Sequence, residues 1–196
     1  SFPVNQKVRT LRELLEPSRK QSVGGSMYSS YYTPRVMDIF YLPNINSRWW
    51  TELSTQLIRF RNKLLGLDDD FAINSTGDFF TVPRIHRYPQ GGGFLAPHFD
   101  RQAPKATKDL GGSAYYQVSL ALTSYGKDYK SGGGYVVLED KLINFDKYSQ
   151  SGDIVIYDGK TLHGVMEVDP LQQFSFNNEG ARSSLFVTLY DKRLAK

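Results

Sequence analysis

The chain has three histidines, at 86, 98 and 163, and no cysteine. Any metal it holds must therefore be bound by imidazole and carboxylate, and thiolate sites, disulfides and a cysteine nucleophile are excluded. His98 stands two residues before Asp100 in "GGGFLAPHFD", and on an extended backbone positions i and i+2 point to one face. His163 lies in "SGDIVIYDGKTLHGV", which reads as a strand, an Asp-Gly turn and a returning strand. An antiparallel return of this kind would set His163 beside His98 and Asp100, giving two neutral imidazoles and one carboxylate with three metal positions left open.

That set is the facial triad of non-haem Fe(II) oxygenases. Open positions on iron call for a co-substrate, and "GARSSLFVTLY" offers Arg182 and Ser184, two apart and so on one face of a strand. A guanidinium is a forked, permanently charged donor for a carboxylate, and a hydroxyl can add a further bond. His86 shares a face with Tyr88 by alternation, Gln117 shares one with Ser119, and Arg101 follows Asp100 directly. His86, Arg101 and Gln117 are candidate substrate contacts. For His86 a core histidine bonded to a carbonyl is the competing role, and whether the Gln117 face looks inward is open from sequence alone.

The elements that must position these residues follow from periodicity. Residues 4–16 carry apolar side chains at helical spacing and stop at Pro17. Residues 18–35, rich in Ser, Gly and Tyr, read as an irregular segment or mobile flap. In 47–67, Trp50, Leu53, Leu57, Phe60 and Leu64 recur at steps of three and four, with Ser47 as N-cap and Gly66 at the end. From residue 79 the texture changes to short β runs, placed near 79–88, 94–100, 114–124, 133–138, 153–157, 161–168 and 183–191. Loop 101–113 reads as a flexible cover, and the Gly91–Gly93 and Gly132–Gly134 triplets as turns and close backbone approaches. The result is one mainly β domain over 1–196, with N-terminal helices and flap through 78 and a jelly-roll core over 79–192.

The ordered set Tyr88, His98-x-Asp100, Gly132-Gly133-Gly134, Gly152-Asp153, His163-Gly164-Val165 and Arg182-x-Ser184 resembles the 2-oxoglutarate- and Fe(II)-dependent dioxygenases. The match covers roughly 80–192, and its specificity lies in order and spacing. The resemblance implies a double-stranded β-helix (jelly-roll, cupin-like), with Fe(II) on His98, Asp100 and His163. It also implies 2-oxoglutarate anchored by Arg182 and Ser184, and O2 as oxidant, with ascorbate as a reductant. "RYPQGGGFLAPHFD" is similar to the stretch of the prolyl-hydroxylase-like branch whose tyrosine contacts the co-substrate, which nominates Tyr88. The implied chemistry is oxidative decarboxylation to succinate and CO2 coupled to oxidation of an unactivated C–H, hydroxylation being the usual outcome. In halogenating relatives a small residue replaces the metal carboxylate; Asp100 stands there in this chain. Prolyl hydroxylases usually carry lysine where this chain has Arg182, and 167–180 reads as an insertion between His163 and Arg182.

The small size of the chain, with no obvious extra domain for docking a protein, and the short basic loop 101–113 point to a small polar substrate such as an amino acid or a derivative, with a protein side chain as an alternative. Nucleic acid is not expected, because the dealkylating branch has a second arginine where this chain has Thr188. A second alternative is a cupin-like metal-binding protein that spends no 2-oxoglutarate and recruits His86 as a ligand. The net charge of +4 is modest and its basic residues are scattered. No apolar run is long enough for a bilayer and the N-terminus lacks a signal-type apolar stretch, so a cytoplasmic location is expected.

Overall fold

The computed structural model describes residues 16–24, 33–74, 77–101, 103–112, 114–177 and 179–194. The helix expected over 4–16 and the middle of the expected flap lie outside them. Among the described residues there are ten strands: β1 (Arg19–Gly24), β2 (Arg35–Tyr41), β3 (Phe79–Pro89), β4 (Gly93–His98), β5 (Tyr116–Ala121), β6 (Gly133–Leu138), β7 (Lys141–Asn144), β8 (Ile154–Asp158), β9 (His163–Val168) and β10 (Ala181–Asp191). The α-helices among the described residues are α1 (Arg48–Leu64) and α2 (Ala103–Asp109). No helix among the described residues is long and apolar enough to cross a membrane.

The strands form one curled antiparallel sheet in the order β7-β6-β9-β4-β2-β3-β10-β5-β8, with β1 on β2. It divides into two four-stranded faces, β3-β10-β5-β8 and β7-β6-β9-β4, joined through β2. From β3 onward the chain alternates between these faces, except at the β6–β7 hairpin. This winding is that of a double-stranded β-helix.

Alternation along β3, β5 and β10 divides the first face chemically. Ile85, Val118, Leu185 and Val187 point outward and bury against Trp50, Leu57 and Ile58 of α1. Their neighbours Arg84, His86, Tyr88, Gln117, Arg182, Phe186 and Thr188 point the other way, between the two faces. β10 is therefore buried on both sides through most of its length. Helix α1 begins as expected, with Ser47 Oγ accepting from Trp50 N at 3.5 Å. It ends in a Schellman turn, Leu67 N donating to Asn62 O at 2.9 Å and Gly66 N to Lys63 O at 3.1 Å, with Gly66 at φ +66°. Its buried face is rotated from the expected one: Phe60 and Leu64 are exposed, while Arg61 and Asn62 are buried. Arg61 Nη1 reaches Val187 O at 2.7 Å and Thr81 Oγ1 at 3.0 Å, tying the helix to the sheet.

Three sequence readings are corrected here. Residues 19–24, read as part of an irregular flap, form β1 in register with β2, Arg19 opposite Phe40. Loop 101–113 contains α2, whose Ala103 and Ala106 are buried against Tyr115 and Leu189. Strands β2 and β7 were not anticipated.

A buried carboxylate fastens β1, β2, β3 and the segment 167–180 together. Asp38, fully buried, accepts from Arg19 Nε at 2.8 Å and Nη2 at 3.2 Å, and from Arg87 Nη1 at 3.1 Å. Both arginines also donate to Phe176 O, at 3.1 and 3.2 Å. Removing one partner of such a cluster leaves buried charge uncompensated. Asp38→Asn is predicted to lower the urea unfolding free energy by about 3–5 kcal/mol, whereas Glu52→Gln, which breaks the exposed Arg48–Glu52 pair on α1, will cost less than about 1 kcal/mol.

Candidate metal centre

Strands β4 and β9 pair antiparallel with His98 directly opposite His163. Their rings lie 4.2 Å apart between centroids. His98 ends β4, and Asp100 sits just beyond it, its N–H donating to Gly159 O at 2.9 Å. The Asp-Gly turn before His163 thus also fixes the carboxylate. A side chain at Gly159 would collide with Asp100 Oδ2, so the turn must be bare there. One ligand atom from each of His98, Asp100 and His163 falls within 4.8 Å of the others.

Hydrogen bonding sets which imidazole nitrogens face this point. Nδ1 of His98 is 3.0 Å from Ala96 O, and Nδ1 of His163 is 2.8 Å from Thr161 O. A carbonyl only accepts, so each Nδ1 carries the proton and each Nε2 keeps a free lone pair. Burial first, and then neighbouring His163, lowers the His98 pKa, favouring the neutral form that a metal needs. Asp100 Oδ2 accepts from Gln117 Nε2 at 2.7 Å, and Gln117 Oε1 accepts from Thr188 Oγ1 at 3.1 Å. Gln117, considered above as a substrate contact, thus orients the Asp100 carboxylate.

These residues open onto a cleft between the two sheet faces, lined also by Arg84, His86, Tyr88, Phe145, Tyr157 and Arg182. Arg182 is 3% exposed and forms a forked pair with Asp146, Nε to Oδ2 at 2.7 Å and Nη2 to Oδ1 at 3.2 Å. Its third nitrogen, Nη1, is buried and has no partner. The guanidinium lies between the rings of Tyr88 and Phe145, at 5.5 and 5.8 Å from their centroids. A Cβ at Gly134 would come 2.6 Å from Nη2, so that glycine leaves room for the arginine. Burial acts against the Arg182 charge, and Asp146 more than offsets it, raising its pKa. Burial likewise pushes the Tyr88 phenol up to about 12, and it raises Tyr157 well above its ordinary value.

Of the other residues singled out in the sequence, Ser184 is buried opposite His86 but is not among the cleft-lining residues. Arg101 is exposed in the turn after Asp100. His86 lines the cleft outside the three-ligand group. Sequence reasoning missed Arg84, Phe145, Asp146 and Tyr157. Arg84 was within reach, since it continues the alternation of His86 and Tyr88. Asp146 was not, because it sits in the short 3-10 turn Phe145–Tyr148 after an unanticipated strand.

No protein-family model and no curated protein matches the sequence. Among solved structures the chain is similar to a Pseudomonas putida prolyl-4-hydroxylase, with TM-score 0.47, 17% identity, and 84% of this chain and 75% of that chain covered. It is also similar to the non-haem alpha-ketoglutarate-dependent epimerase SnoN from nogalamycin biosynthesis, with TM-score 0.49, 15% identity and coverage of 79% and 61%. A third similar structure is JOX2 in complex with 2OG, Fe and JA, with TM-score 0.45, 14% identity and coverage of 97% and 60%. The chain thus spans about three quarters of the first and three fifths of the other two.

Two outcomes follow from this geometry. Calorimetric titration with Zn(II) should show one site that is lost in His98→Ala, His163→Ala and Asp100→Ala, kept in His86→Ala, and weakened roughly 10–100-fold in Gln117→Ala. The second concerns Asp146. Burial raises its carboxyl pKa, but the Arg182 pair with the Tyr129 and Gly134 hydrogen bonds holds it below the ordinary value. A depressed native pKa stabilises fully above the unfolded value of about 4, and that stability is lost as pH falls through the native value. Wild type should therefore exceed Asp146→Asn in unfolding free energy by several kcal/mol at pH 7, the gap closing progressively below about pH 4.

Proposed function

We propose that this protein is an Fe(II)- and 2-oxoglutarate-dependent oxygenase that oxidises a C–H bond of a small polar substrate. The observation that carries this reading is the presence of two complementary features in one cleft. One is a His-His-Asp group with both Nε2 lone pairs free. The other is a buried arginine whose Nη1 has no partner. The donor set suits Fe(II), which prefers mixed imidazole and carboxylate ligation. The idle Nη1 suits the far carboxylate of 2-oxoglutarate, because an unmatched buried donor costs more than a made bond returns.

His98, Asp100 and His163 would hold the iron. Iron, 2-oxoglutarate and O2 together supply the oxidation, yielding succinate and CO2, with ascorbate as the reductant that keeps the metal ferrous. The protein's part is positional. Gln117 and Thr188 fix Asp100, the Ala96 and Thr161 carbonyls fix the two imidazoles, and Asp146 fixes the plane of the Arg182 guanidinium. Tyr88, Phe145 and Tyr157 surround the anchor with rings and exclude water from it, which strengthens the ion pair. Support for a small substrate comes from the burial of these donors between two sheets. The cupin-like alternative is disfavoured because His86 lies outside the ligand group.

The test is calorimetric binding of 2-oxoglutarate to Zn(II)-loaded protein, with pyruvate as the 2-oxo acid that lacks the far carboxylate. We expect one-to-one binding of 2-oxoglutarate, weakened roughly 10–100-fold in the charge-neutral double variant Asp146→Asn/Arg182→Met, with pyruvate binding unchanged. Wild-type protein that binds 2-oxoglutarate no more tightly than pyruvate would contradict the proposal.

A further inference from the structure

The buried and half-buried arginines among the described residues differ in how their donors are used. Arg61 gives both Nη groups and Nε to Thr81, Val187 and Asn62. Arg19 and Arg87 share Asp38, and Arg182 is forked onto Asp146. Arg84 follows none of these patterns. Its Nε is buried without a hydrogen-bond partner, and its guanidinium lies over the ring of Tyr190 at 5.1 Å. The carboxylate whose charge acts on it is the candidate ligand Asp100, through space.

Arg84 also occupies a distinct place in the cleft. On β10 its register partner is Phe186, whereas Tyr88, beneath Arg182, pairs with Arg182 itself. Four residues of strand, about 13 Å, separate the two positions along β3. Between them on the same face is His86, whose ring packs on Phe186 at 4.8 Å and whose Nε2 is likewise buried without a partner. The face that β3 turns to the metal group thus carries two idle polar atoms two residues apart, one on a permanent cation. Burying such atoms unmatched is costly unless a ligand completes them.

We infer that Arg84, with His86, forms a second carboxylate-recognition point in this cleft, at the Asp100 end and separate from Arg182. It deepens the oxygenase reading and rests on that reading only for the carboxylate's source: the metal-bound end of the co-substrate, or the molecule being oxidised. The site itself stands on the cleft residues alone. A carboxylate there accepts from Arg84 Nε and from the Nε2–H tautomer of His86. Burial, followed by the charges of Arg84 and Arg182, keeps His86 well below its ordinary pKa and so neutral. If the carboxylate belongs to the oxidised molecule, the substrate class is a small carboxylic acid, which includes amino acids.

The test reads Arg84 directly. In 15N-labelled, metal-free protein its Nε–H resonance is identified by its absence from Arg84→Lys, a variant that keeps the charge and the fold. Acetate, a bare carboxylate, is expected to shift this resonance saturably. The titration is then repeated on Zn(II)-loaded protein saturated with 2-oxoglutarate. If 2-oxoglutarate shifts the resonance and acetate no longer does, the carboxylate is the co-substrate's own. If acetate still shifts it, the point is free for a substrate carboxylate. A saturable acetate shift in a protein that binds no 2-oxoglutarate keeps the Arg84 site and removes the oxygenase reading. A resonance that neither acetate nor 2-oxoglutarate moves overturns the site.

Discussion

The pairing register of β4 with β9 is the constraint on which the candidate centre depends. It sets His98 opposite His163, and because side chains alternate along a strand, a slip of one residue would turn either imidazole out of the cleft. The register shifts twice between Gly93 and His98, so the pair is brought into opposition by local irregularity rather than by a regular ladder. The turn that returns the chain into β9 then closes the group, since Gly159 O receives the Asp100 N–H. Two histidines and one carboxylate from separated stretches of chain thus converge through backbone hydrogen bonds, before any metal contributes.

The sheet behind the cleft separates stability from chemistry by alternation. Odd-numbered residues of β3 and β10 such as Ile85, Leu185 and Val187 pack on α1, while the even-numbered Arg84, His86, Tyr88, Arg182, Phe186 and Thr188 line the cleft. The cost of this plan is buried cationic charge. Asp38 offsets two arginines and Asp146 one, while Arg61 is held by oxygen atoms and by burial is lowered to about pKa 10. The same Asp146 that compensates Arg182 leaves one of its nitrogens unmatched, so structural compensation and readiness for a ligand coexist in a single side chain.

Much of the site was legible in the sequence because its signals are local. His98-x-Asp100, the Asp-Gly turn before His163, and Arg182 can each be read within a few residues, and the positions of the strands from β3 onward, β7 excepted, follow from turn residues and alternating runs. What escaped depends on distant partners. Strand β1 has a Ser- and Gly-bearing sequence that gains strand character from β2 and from the Arg19–Asp38 pair. The α2 helix is short, and its small alanines find burial only against Tyr115 and Leu189. Helix α1 was placed correctly, yet its apolar periodicity named Phe60 and Leu64, whereas the sheet takes Arg61, whose guanidinium meets a carbonyl 126 residues away. Asp146 and the inward orientation of Gln117 likewise emerge only when strands from different parts of the chain are adjacent.

The central claim is that this cleft binds Fe(II) and 2-oxoglutarate together on His98, Asp100, His163 and Arg182. The most direct measurement is an anaerobic visible-absorption titration of the protein with Fe(II), followed by 2-oxoglutarate. The expected result is the weak charge-transfer band of a 2-oxo acid chelated to ferrous iron, absent in His98→Ala. Fe(II) that binds but yields no such band at saturating 2-oxoglutarate would contradict it.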